Sequence, residues 1–201
     1  MSDVIKRVQQ KDNERMNHHT SISERATGLK ASMTLEISSL AQELKKSGRN
    51  ICSLSAGEPD FETPAFIIEA TKKALIDGIT KYGPAAGDPS LREAIAHKIS
   101  NINKVPSSKD NILITNGGKQ AIFNLFQILL NPGDEVLIPS PYWLSYPEIA
   151  KFAQAKPIFI DTSPEKSFSL DINKLESAIS PKTKILILNS PCNPTGRVMK
   201  L

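Results

Sequence analysis

From position 21 onward, short runs of Ile, Val and Leu alternate with stretches whose apolar residues recur at helical spacing, and few folds accommodate that alternation. The apolar runs predict strands over 51–54, 111–115, 135–138, 157–160 and 184–188. Helical spacing predicts helices over 34–46, 66–76, 90–99, 119–130, 145–152 and 171–179. The punctuation agrees with this division. Gly48 ends the first helix, Thr63-Pro64 precedes the second, Ser90-Leu-Arg-Glu93 reads as a capping box, and Asn131-Pro-Gly133 closes the fourth. Near-continuous apolar strands separated by helices imply an α/β fold, a largely parallel sheet with flanking helices. In such sheets ligands sit at the C-terminal ends of the strands, so the loops there carry the function.

Composition excludes several classes of function. A chain of 201 residues, 39% hydrophobic and 23% charged, suits one or two globular domains. Its 25 basic and 21 acidic residues give a net charge of +4 with no aromatic-interleaved basic run, so nucleic acid is not expected as a partner. Cys52 and Cys192 lie far apart without a CxxC partner, which points to a reducing compartment, and the cytoplasm is the expected location. Residues 1–20 are polar and include Asp3, Asp12 and Glu14, unlike a signal or transit peptide, and read as a disordered arm in which Met16 is an alternative start. His18-His19 has no further ligand at metal spacing, and no membrane segment is expected.

Three strand-end loops hold unusual residues. After the 111–115 run comes Asn116-Gly117-Gly118-Lys119-Gln120, glycines at a helix start whose bare N–H groups and dipole suit an anion such as phosphate. Tight turn geometry is the competing explanation of the same glycines. No GxGxxG or GxxxxGK[ST] spacing is present, which disfavours a dinucleotide or nucleoside triphosphate. After 135–138, Pro139-Ser-Pro-Tyr-Trp143 places the only Trp of the chain in a loop, either as a stacking surface for a planar ligand or as a core anchor. After 184–188, Asn193 offers an amide that both donates and accepts, or else caps the turn around Pro194. Together these loops describe a site for a phosphorylated aromatic cofactor.

Five motifs in order, Ser55-Ala-Gly57-Glu-Pro-Asp60-Phe, Lys81-Tyr82-Gly-Pro, Gly117-Gly-Lys-Gln120, Ser140-Pro-Tyr-Trp143 and Asn193-Pro-Thr-Gly196, give the chain its resemblance. From about residue 21 to its end it resembles the N-terminal half of a class I pyridoxal-phosphate aminotransferase of the aspartate aminotransferase family. The resemblance implies a fold-type-I PLP transferase, homodimeric when complete, with active sites at the subunit interface. It implies that 21–55 contributes to a small domain and that 56–201 opens the large, cofactor-binding domain. By motif, the backbone at Gly117, Gly118 and Lys119 holds the cofactor phosphate, Trp143 stacks on the pyridine ring, and Asn193 bonds the ring oxygen. Tyr82 reaches the phosphate of the other subunit's cofactor, and Gly57 lines the substrate carboxylate site, which Trp143 and Asn193 also border.

The substrates implied are an amino acid and a 2-oxo acid. Lys119 resembles a position that meets the side-chain carboxylate of aspartate or glutamate in one bacterial branch, and a fixed cation there favours a dicarboxylate. An exposed helix-start lysine is the alternative. Lys30 and Thr34 match an N-terminal segment that in the same branch borders the substrate and sometimes accompanies activity on prephenate. In the family the Schiff-base lysine, the Asp facing the pyridine nitrogen and the Arg clamping the α-carboxylate all follow the Asn-Pro-Thr-Gly motif, and no lysine of this chain stands in the matching context. The chain is therefore expected to cradle the cofactor without completing transamination, as a truncated aminotransferase or, alternatively, as a non-catalytic remnant or interaction module. The nucleotide sequence beyond Leu201 separates these two. A doubly wound nucleotide-binding domain would need a glycine fingerprint after the first strand, which Ser55-Ala-Gly57 does not supply.

Overall fold

The computed structural model describes residues 22–29, 33–54, 57 and 59–199. The expected arm over 1–20, with His18, His19 and Met16, lies outside the described residues, as does Lys30. The chain divides into two compact units, 31–125 and a second formed by 126–201 with the segment up to residue 30.

The second unit carries the sheet. Strands β1 (Glu135–Ser140), β2 (Lys156–Asp161) and β3 (Thr183–Leu186) run parallel in the order β2-β1-β3. The central strand is buried along Val136, Leu137 and Ile138, and this explains why its sequence is an unbroken apolar run rather than an alternating one. Its pairing with β2 is in simple register from Glu135 opposite Lys156 to Ser140 opposite Asp161. Pairing with β3 slips between Glu135 and Val136, where Lys184 is the extra residue. Leu186 and Leu188 on this third strand and its extension are partly exposed.

Helix α6 (Ser145–Phe152) makes the crossover from β1 to β2 and packs on both strands. Its Tyr146, Ile149 and Ala150 are buried. Short helix α1 (Glu24–Thr27) lies against α6, with the Arg25 guanidinium 5.4 Å from the centre of the Phe152 ring. Helix α7 (Ile172–Ala178) precedes β3, and the Asp171 carboxylate caps it by accepting from the N–H groups of Asn173 and Lys174.

The first unit holds helices α2 (Met33–Lys46), α3 (Ala65–Ile76), α4 (Pro89–Asn101) and the start of α5 (Gly118–Leu129). Three expectations fail here. The runs 51–54 and 111–115 are not ladder strands: Lys109–Asn111 is a turn of 3₁₀ helix, and 112–115 is extended without a strand beside it. The Ile114 N–H bonds to the Ala86 carbonyl at 2.9 Å. Gly87 permits that approach, since its φ is +103° and a Cβ there would stand 2.3 Å from Ile114 Cγ1. Arg92 fixes the same segment by donating from Nε to the Ile112 carbonyl at 2.9 Å and from Nη2 to the Lys109 carbonyl.

The third failure is the capping box at Ser90. Asp88 is the cap, Pro89 takes the first helical position, and Ser90 already lies inside α4. An Asp ahead of Pro outcompetes the later Ser because proline's fixed φ and absent N–H suit the first turn. The Ser90 hydroxyl, followed by the Leu91 N–H, holds the Asp88 carboxyl below its ordinary pKa.

Candidate active site

The 118–129 helix opens where the sequence places an anion site. Gly117 has φ of +80°, a left-handed conformation that L-residues adopt at a cost, and its N–H closes on the Thr115 carbonyl at 2.8 Å. The Thr115 hydroxyl donates to the Gly117 carbonyl at 3.0 Å, and Gln120 Oε1 accepts from the Asn116 N–H at 2.6 Å. Side chains of the motif thus brace the turn, a role for Gln120 that the sequence reading missed. A Cβ at Gly117 or Gly118 would meet nothing within 4 Å, so packing does not require glycine at either position. The first turn of α5 carries no acidic residue, and Gly117, Gly118 and Lys119 are exposed. Helix-start N–H groups, a favourable dipole and an adjacent cation form a donor set that fits a phosphate.

Gly57 and Tyr82 are both exposed in this unit, Tyr82 completely. The backbone of Thr34 lies in α2.

Trp143 and Asn193 are brought to one edge of the sheet, because β1 and β3 are hydrogen-bonded neighbours and both residues follow those strands. Ser140–Pro141, Ser190–Pro191 and Asn193–Pro194 are cis in these loops. The loops are joined by the Cys192 thiol, which donates to the Pro141 carbonyl at 3.7 Å, while the Ser140 hydroxyl donates to Asp161, the last residue of β2, at 3.1 Å. Trp143 is half-buried and meets the ring of Tyr146 edge to face, with centroids 5.4 Å apart and planes at 89°. Tyr142 stacks on Phe159 of β2 at 4.9 Å.

The turn after β3 is not capped by Asn193. Asn189 does that, its side-chain oxygen accepting from the Asn193 N–H at 2.8 Å. Asn193 itself is exposed, and its side-chain amide makes no hydrogen bond among the described residues. Behind the loops a cavity of about 50 Å³ is lined by Tyr146, Asn189, Cys192 and Thr195 among others. Burial, and after it the nearby Cys192, push the Tyr146 hydroxyl above its ordinary pKa. Both cysteines are free thiols. Among the described residues no helix is long and apolar enough to cross a membrane.

A parallel sheet whose strand-end loops present an aromatic ring and an open amide is an α/β architecture with its loops placed where such sheets bind ligands. The chain belongs to the aminotransferase class I and II family, whose model matches residues 49–201. It is 47% identical over 177 residues to the aspartate/prephenate aminotransferase of Thermus thermophilus, an alignment covering 88% of this chain and 46% of that protein. It is also 47% identical to the Petunia hybrida bifunctional aspartate aminotransferase and glutamate/aspartate-prephenate aminotransferase, over 89% of this chain and 37% of that one. Among solved structures, the aspartate aminotransferase from Thermus thermophilus with maleate superposes with a TM-score of 0.85 at 47% identity, over 89% of this chain and 47% of that chain. The chain thus spans about half the length of the curated relatives it matches.

Proposed function

We propose that this chain is the cofactor-cradling part of a PLP-dependent aminotransferase that moves an amino group between aspartate or glutamate and a 2-oxo acid, with prephenate among its acceptors. The observation that carries the reading is the start of α5, where Gly117 at φ +80° and an acid-free, exposed first turn suit an anion in a chain of the aminotransferase family. Gly117, Gly118 and Lys119 hold the phosphate through backbone N–H groups. Trp143 covers the ring face, and Asn193 donates its open amide to the ring oxygen. Tyr82 serves the cofactor phosphate of a second subunit, and Gly57 leaves room for the substrate carboxylate. When bound, PLP supplies the electron sink that lets the substrate's α-proton leave.

Lys119 gives the dicarboxylate preference, since its ammonium would meet a second carboxylate that alanine or an aromatic substrate lacks. The names of the relatives, aspartate/prephenate aminotransferases, and the maleate of the Thermus structure, itself a dicarboxylate, support that preference. A cytoplasmic homodimer is the proposed working form, and the division into a 21–55 small-domain segment and a large domain from 56 is part of the same proposal.

The test is amine transfer from aspartate to 2-oxoglutarate and to prephenate by the natural polypeptide that carries these residues, loaded with PLP. Transfer from acidic donors in preference to alanine is expected. A protein that binds PLP and transfers no amine would instead be the non-catalytic remnant. A polypeptide limited to these 201 residues is expected to show no turnover, for want of a lysine in the matching context, and turnover would overturn that assignment.

A further inference from the structure

We infer that Tyr146 is a positioning residue for the cofactor ring, holding the Trp143 indole from one side and standing beside the loop that carries Asn193. The inference rests on the cofactor reading above and adds a residue that the motifs do not mark. Trp143 and Tyr146 are three apart at the entry to α6, and the Tyr146 N–H donates to the Trp143 carbonyl at 3.0 Å. That turn stacks the two side chains on one side of the helix start. Their rings meet edge to face at 5.4 Å, a geometry that fixes the indole plane rather than merely filling space. Tyr146 is 8% exposed and stands in a packed core with Ile149 and Ala150, so it is the more deeply held member of the pair, while Trp143 is half-buried.

The other end of Tyr146 points to the second loop. Tyr146 and Cys192 line the same cavity. Cys192 precedes Asn193 and is tied through its sulfur to the Pro141 carbonyl of the Trp143 loop. A single buried phenol therefore packs against Trp143 and lines the same cavity as the residue that precedes Asn193. Loss of its ring edge removes one contact that orients the Trp143 indole, and more of that ordering then falls to the cofactor when it binds.

The experiment is a double-mutant cycle read as the PLP dissociation constant of the natural polypeptide, with Trp143→Ala, Tyr146→Leu, the double variant and Tyr146→Phe. Tyr146→Leu should weaken PLP roughly three- to ten-fold, the scale of one lost aromatic pair. Added to Trp143→Ala it should weaken binding no further, because its effect passes through the indole. Tyr146→Phe keeps the ring edge and should bind within about two-fold of the parent. Multiplying effects in the double variant would make Tyr146 a general core residue and overturn the inference while leaving the cofactor reading intact. PLP affinity unchanged by Trp143→Ala would overturn the cofactor reading of Trp143 and the inference with it. Where Tyr146→Leu does not fold, Tyr146→Met fills the same space without a ring, and failure of both to fold would likewise overturn the inference.

Discussion

Gly117 and Gly118 are chemically identical neighbours with opposite expected responses to an added methyl group. At Gly117 the φ of +80° is the constraint, since a Cβ there would meet nothing within 4 Å. Holding an L-residue in the left-handed region costs about 1–2 kcal/mol. Alanine also restricts the unfolded chain, which returns about 0.4–1 kcal/mol, so Gly117→Ala should destabilise by about 1 kcal/mol. Gly118 lies at the first position of α5, also with open space around its Cβ, and has no positive φ. Gly118→Ala should therefore leave stability unchanged or raise it by up to about 1 kcal/mol.

Equilibrium denaturant unfolding of the apo polypeptide measures both values, and PLP titration of the same variants shows whether the turn matters to the ligand. The Gly117 variant should lose PLP affinity as its N–H groups turn away, and the Gly118 variant should keep it. Equal destabilisation by the two, or a larger loss at Gly118, would refute the argument that backbone conformation rather than space explains the glycine pair.

Lys119→Ala should lower kcat/KM for aspartate about ten- to a hundred-fold, the value of one charge-assisted hydrogen bond, and spare alanine and aromatic donors; an equal loss for all donors would withdraw the claim of dicarboxylate selectivity. Trp143→Ala should instead lower kcat/KM for every donor alike in that same comparison, since all share the cofactor. Asp88 should contribute to acid stability with a definite sign. Its carboxyl titrates lower in the folded chain than its usual 3.8, so its contribution is present at neutral pH and lost as pH falls from there through the depressed value. Asp88→Asn should flatten that limb of a melting-temperature profile, and an unchanged limb would contradict the capping role.

The sheet was legible where burial dictates the residues. Val136, Leu137 and Ile138 must be apolar on both faces, and β1 and β2 fall where the apolar runs placed them. The runs over 51–54 and 111–115 also carry apolar residues, but pairing depends on a neighbour that periodicity does not record, and for 112–115 the partners are Ala86 and Arg92 instead. The Ser90 box was misplaced because a stronger cap, Asp88 before Pro89, lay two residues upstream. Of the site, the turn at Gly117 and the loop positions of Trp143 and Asn193 could be read from residue types. The brace by Gln120, the cap by Asn189 and the contact of Tyr146 with Trp143 are side-chain geometry, signalled only by spacings of four, four and three residues.

The central claim is that the turn at Gly117 to Lys119 grips the phosphate of the cofactor. Competitive titration of the natural apo polypeptide with PLP and with pyridoxal, which lacks only the phosphate, tests it most directly. The account predicts that PLP binds at least about a hundred-fold more tightly, that Gly117→Ala narrows this ratio, and that inorganic phosphate competes with PLP. Equal affinity for PLP and pyridoxal, or a ratio unmoved by Gly117→Ala, would contradict it.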